Sequence, residues 1–299
     1  MQRPTIISLS TIPSRFKLLT PTLKSLLNQS LPAEEIRLYI PYKYRRFPDW
    51  DGVLPEVPEG ISIVRCEKDY GPATKVLPAA CDLKDQQSHI LFCDDDKIYD
   101  TNWHQRFINA ASKLPNTCIV EVGETFPDIS DACRPSSRLP RGGRRRKDIY
   151  YRLLRVLKIF GTKPYLTKNG YVDQISGYGG VLVQPEWFDD LFYKIPDVMW
   201  TVDDPWISGN LERVGIPIWM NGHTKRPDSS DNGVFDALHE LIEDGHGRVE
   251  ADLLVIDYFR KTYDIWKPCG KVDKHYKQRA SSSMKELARR ALNEQINKK

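Results

Sequence analysis

An α/β fold with a mainly parallel sheet flanked by helices is what the sequence predicts, on three observations. The first 120 residues alternate short β-rich runs with segments of helical spacing, as βαβ units do. One apolar run ends abruptly in three adjacent carboxylates, the place where such sheets carry their function. A length of 299 residues with 40% hydrophobic side chains can bury a sizeable core, which excludes a disordered chain or a small stapled scaffold.

In chain order, residues 5–9 form a strand candidate, and 17–28 place Leu18, Leu19, Leu23, Leu26 and Leu27 near helical spacing. Residues 36–40 and 61–64 read as the second and third strands, with a helix over 74–80. The run at 89–93 has the continuous apolar character of a strand buried on both faces, and 118–122 reads as another. From 124 to 168 the pattern breaks into Pro, Ser, Gly and Arg. Sheet-like sequence resumes over 172–183 and 216–220, with helices starting near Pro205 and over 238–243, 251–262 and 283–296. The expected organisation is one domain over 1–270, with a basic insertion at 134–160, and a basic tail over 271–299.

The six cysteines stand singly, without a CxxC pair, and are expected to be reduced packing residues. The start of the chain lacks a signal-peptide layout and no apolar run nears the ~20 residues of a membrane span, so the expected location is cytoplasmic. The net charge of +4 is uneven: residues 134–160 hold ten Lys/Arg against one acid and 271–299 nine against three, which leaves −11 on the rest. Within the insertion, Ile149, Tyr150, Leu153, Leu154, Leu157 and Phe160 fall near one helical face with Arg152, Arg155 and Lys158 interleaved. That is the pattern of a helix lying on a membrane, through residues 144–160. The alternative is a core-packed helix after a basic loop.

Asp94, Asp95 and Asp96 carry the strongest chemical signal. Three neighbouring carboxylates repel one another unless a cation joins them. At strand periodicity Asp94 and Asp96 share a side and can hold one hard divalent metal, completed by phosphate oxygens and water, while Asp95 faces elsewhere. A solvated acidic turn is the bland alternative. Arg15, just past the first strand, offers a forked donor to phosphate, or Ser10 and Ser14 simply cap the next helix. Gly71 allows close backbone approach, and Lys75 lies one turn into a helix whose free amides attract anions. Asp204 reads as a helix cap before Pro205.

Four segments in this order, Ser8 to Arg15, Asp69 to Lys75, Asp94 to Asp96 and Asp203 to Trp206, resemble nucleotide-sugar glycosyltransferases of the GT-A fold, over about residues 4–225. The resemblance implies a Rossmann-like sheet, Mn²⁺ or Mg²⁺ on Asp94 and Asp96 with His223 as a further ligand, and a nucleoside-diphosphate sugar as donor, a UDP-sugar first. It assigns donor contacts to Ser10, Thr11, Pro13, Arg15, Asp69, Gly71, Lys75, Asp94 and Asp95. The catalytic base of an inverting transfer would be Asp204, with Asp203 as the alternative. Acceptor contacts fall to Tyr178, Gly179, Gly180 and Trp206, the acceptor being a glycan or a lipid-linked sugar of a surface polysaccharide. A nucleotidyltransferase would use the same carboxylates and metal but release pyrophosphate. A non-enzymatic module binding an anionic surface is the other rival, weakened by the acidic body. Nucleic acid is not expected, since no motif reads it.

Overall fold

The computed structural model describes residues 3–144, 167–222, 224–230, 247–272 and 280–297. Its centre is an eight-stranded sheet. The strands are β1 (Thr5–Ser10), β2 (Glu35–Pro41), β3 (Ile61–Cys66), β4 (His89–Phe92), β5 (Cys118–Val120), β6 (Gly170–Val172), β7 (Val181–Val183) and β8 (Ile218–Met220). They lie in the order β6-β8-β5-β7-β4-β1-β2-β3. The block β3-β2-β1-β4 is parallel throughout, and β5 pairs parallel with β8. β7 runs antiparallel to both β4 and β5, and β6 antiparallel to β8. The α/β class is as predicted.

Strand periodicity sorts the core into two layers. Ile6, Ile90, Phe92, Val120, Val181 and Val183 face one side of the sheet, and Ile7, Leu9, Leu91, Cys93, Ile119 and Leu182 the other. Helices α1 (Thr20–Leu27) and α3 (Trp103–Ala111) cover the second side. On the first lie α2 (Leu77–Asp82), α4 (Asp204–Arg213), α5 (Arg248–Tyr263) and α6 (Ser282–Asn297). Each fully buried Leu, Ile or Phe contributes about 1.5–3 kcal/mol, so the central strands anchor both layers at once. Pro21, Pro78 and Pro205 sit in the first turns of α1, α2 and α4, where the fixed φ suits a helix and the missing N–H costs nothing.

The expected single helix over 17–28 is a 3-10 segment, Pro13–Leu18, followed by α1. Likewise 74–80 divides into the 3-10 segment Gly71–Lys75 and then α2. The helix α3 forms where the sequence reading expects no helix. The C-terminal helix α6 is docked rather than loose: Met284, Leu287 and Ala288 are buried, and Ser281 Oγ donates to Glu124.

One expectation is corrected. Cys133 and Cys269 form a disulfide across 136 residues of sequence, so the cysteines are not all reduced packing residues. In the described part of the basic insertion, arginines are paired with acids. Arg134 and Arg141 are buried on Asp173, and Arg138 pairs with Glu212. The amphipathic stretch at 148–160 and the helix expected over 238–243 lie outside the described residues. No described helix is long and apolar enough to cross a membrane.

Candidate active site

The carboxyl ends of β1, β2, β3 and β4 open into one cavity of about 290 Å³. The loop after β1 brings Ser10, Thr11 and Arg15, and the loop after β2 brings Tyr44 and Arg46. The segment after β3 supplies Asp69, Gly71 and Lys75, and the tip of β4 supplies Asp94, Asp95, Asp96 and Lys97. Tyr178, Trp200, Asp203, Asp204 and Arg248 close the far wall. Residues dispersed over more than 200 positions of sequence thus meet at the edge where α/β sheets bind ligands.

Lys75 is the centre of the charge network. Its Nζ lies 2.6 Å from Asp94 Oδ1 and 2.8 Å from Asp203 Oδ2, and its side chain is 8% exposed. Burial alone would lower its pKa, but Asp203, Asp94 and Asp204 together hold it well above the ordinary lysine value. Burial likewise acts to raise Asp94, and the neighbouring ammonium outweighs it, so that carboxyl lies below its usual range. Ser8 Oγ donates to the Lys75 carbonyl at 2.7 Å and fastens this turn to β1. Room for the ammonium depends on Gly177, where a Cβ would stand 2.7 Å from Lys75 Nζ.

The other two carboxylates of the strand tip are also engaged. Asp95 accepts from Thr11 Oγ1 at 2.6 Å and Arg15 Nη1 at 2.9 Å, which locks the loop after β1 against β4; burial raises its pKa. Asp96 Oδ1 lies 2.8 Å from Lys97 Nζ, yet is buried with no hydrogen bond of acceptable geometry. Asp69 Oδ1 accepts the Gly71 N–H and its Oδ2 the Arg45 N–H, each at 2.8 Å. Gly71 has φ +59, and a Cβ there would meet the Trp200 carbonyl at 2.8 Å, so glycine is required twice over. Trp200 donates from Nε1 to the Asp69 carbonyl, while Arg45 lies 5.0 Å over its ring and pairs with Asp197.

The acidic pair at the start of α4 does not cap the helix with its side chains. Asp203 occupies the cap position without a side-chain cap bond, and its carboxylate turns instead to Lys75. Asp204 stands first in the helix, and its Oδ1 accepts the Gly177 N–H at 2.9 Å. Burial, with the charge of Asp203 beside it, raises the Asp204 carboxyl to about 8. This makes Asp204 the cavity carboxylate best suited to take up a proton near neutral pH.

The residues fit a hard divalent cation only in part. Asp94 and Asp96 offer oxygen donors into one cavity, and the buried Asp96 Oδ1 lacks a hydrogen bond. Among the described residues no group of three His, Cys, Asp or Glu could hold a metal, so such an ion would complete its coordination with ligand oxygens or water.

Four of the residues read from the sequence stand apart from the cavity. Trp206 is 2% exposed in the core, packed on Phe259, with its Nε1 donating to the Phe192 carbonyl, and no face is left to stack on a sugar. Gly179 abuts Val122 and Gly180 abuts Trp103, so both serve packing behind Tyr178. Pro13 begins the 3-10 segment Pro13–Leu18 and shapes the loop that carries Arg15. His223 lies outside the described residues. Conversely, Tyr44, Arg46, Lys97, Trp200 and Arg248 line the cavity without having been singled out. Lys97 was legible beside the aspartates, whereas Arg248 stands 44 residues beyond Asp204 in a polar stretch with no motif.

No protein-family model and no curated protein matches the chain. Among solved structures, GalNAc-T7 crystallised with UDP, GalNAc and Mn²⁺ is similar over 97% of this chain at 14% identity and a TM-score of 0.44. The chain spans 55% of the length of that structure.

Proposed function

We propose that the protein is an inverting glycosyltransferase of the GT-A type, moving a sugar from a nucleoside-diphosphate donor to an acceptor hydroxyl with the help of Mn²⁺ or Mg²⁺. The observation that carries this reading is the meeting of the β4 carboxylates, the paired Lys75 and the buried Asp204 in one cavity at the sheet's carboxyl edge. Arg15 and Lys75 line the cavity and could balance a diphosphate, and Tyr178 lines the same cavity. Asp94 and Asp96 would hold the metal, which supplies charge neutralisation for the departing diphosphate.

The acceptor hydroxyl gives its proton to the Asp204 carboxylate as its oxygen forms a bond to the anomeric carbon. The bond from that carbon to the diphosphate oxygen breaks, and the diphosphate leaves with the electron pair. Asp204 is favoured over Asp203 because the Asp203 carboxylate is already engaged by the Lys75 ammonium at 2.8 Å. The Gly177 N–H fixes the direction of the Asp204 carboxylate. We further propose a glycan or lipid-linked sugar as the acceptor. The test is a screen of nucleotide sugars with Mn²⁺, followed by product analysis by NMR. The reading requires metal-dependent turnover with inversion at the anomeric carbon, and loss of turnover in Asp204→Asn; retention of configuration, or full activity of that variant, overturns it.

A further inference from the structure

Arg248 is the first residue of the sixteen-residue helix α5 and lines the cavity. It differs from its neighbours in being uncommitted. Lys75 is paired with Asp94 and Asp203, Arg15 with Asp95 and Lys97 with Asp96. Among the described residues Arg248 makes no hydrogen bond or close ion pair. Burial lowers its pKa, but Asp204, Asp252, Asp203 and Asp94 act on it from a distance and the balance is upward. A partly buried guanidinium that no described group takes up can donate to an anion.

Its support comes from the C-terminal part of the chain. Asp252 stands one turn along α5, on the same face as Arg248, and is 8% exposed. Its Oδ2 accepts from Ser283 Oγ of α6 at 2.5 Å, and Ser283 is itself buried at 4% exposure. The hydroxyl from α6 therefore fixes the carboxylate whose charge acts on the guanidinium.

We propose that Arg248 contacts the ligand, donating its forked N–H groups to phosphate oxygens of a nucleoside diphosphate, and that Asp252 and Ser283 are positioning residues through which α6 aims it. This rests on the diphosphate donor of the preceding section. It makes the last helix part of the site rather than an appendage.

The test is calorimetry on the full chain with Mn²⁺, using uridine, guanosine, cytidine and adenosine diphosphates, each beside its own nucleoside. Arg248→Met is expected to weaken the bound diphosphate by about 10- to 100-fold and leave the nucleoside's affinity unchanged. Arg248→Lys should recover part of the loss, because a point charge replaces a fork. Ser283→Ala is expected to weaken the diphosphate by about 3- to 10-fold, with Ser283→Thr restoring it and the melting temperature of both close to the parent. If a folded Arg248→Met binds the diphosphate as the parent does, the role of Arg248 is refuted. If Ser283→Ala loses nucleoside and diphosphate affinity alike, its role is structural and the positioning claim fails. Should the parent bind none of the four diphosphates, the donor reading itself falls and this inference with it, an outcome distinct from the other two.

Discussion

At the scale of single residues, the site is a set of charges whose protonation follows from burial. Asp204 is raised to about 8, so its basic form, the one that accepts a proton, is the minor form at neutral pH and grows as pH rises through 8. The value of kcat/KM should therefore climb by about tenfold per pH unit below that point and level off above it. Asp204→Asn should lower kcat by about 10²–10⁴-fold and abolish that limb, which a pH series with the identified donor checks. At Gly177 the expected effect is steric. Gly177→Ala would place a methyl 2.7 Å from Lys75 Nζ, displace the ammonium, and destabilise the fold by about 1–3 kcal/mol in denaturant titration. Lys75→Met tests the same network electrostatically. It would leave Asp94 and Asp203 without their shared cation, at a cost of about 3–5 kcal/mol in denaturant titration.

At the scale of elements, β4 links stability to chemistry, since it begins at His89 and ends at Phe92, two residues before Asp94. His89 is buried, and that burial, with Arg3 nearby, lowers it to about 4. Because the folded value lies below the unfolded one of 6.5, its contribution is present above pH 6.5 and lost as pH falls toward 4, by about 3 kcal/mol in all. His89→Gln should flatten the stability profile in that window, measured by urea titration across pH. The same strand shows what was legible in the sequence. Ile90 to Cys93 is apolar at every position and then turns to carboxylate, and a strand buried on both faces admits no other pattern. The direction of β7 was not legible, because alternation along Val181–Val183 is identical whether the strand runs up or down. Helix α3 carries Trp103, Phe107 and Ile108 at helical spacing, a pattern present in the sequence. The pairing of Cys133 with Cys269 depends on a contact between distant segments, which spacing alone does not encode.

At the scale of the whole molecule, the segment after α5 is tied back to the loop region that follows β5. Cys269 follows α5, and its backbone exchanges hydrogen bonds with Asp128 and Ser130, so the crosslink reinforces a seam already made by the main chain. Replacing both cysteines by serine should lower unfolding free energy by about 2–5 kcal/mol, and a thiol reductant should lower the melting temperature of the parent but not of the double variant. The order of strands has a consequence for how the molecule comes into being. Residues 5–92 complete four neighbouring strands by themselves, but β5 reaches them only through β7, more than sixty positions later in the chain. A nascent polypeptide cut short before Val181 would carry β4 with a bare hydrogen-bonding rim and β5 with nothing to dock on, two sticky borders of the kind that seed aggregates. Truncated products of translation should for that reason accumulate as inclusion bodies, and the ribosome must deliver β7 before the sheet can close.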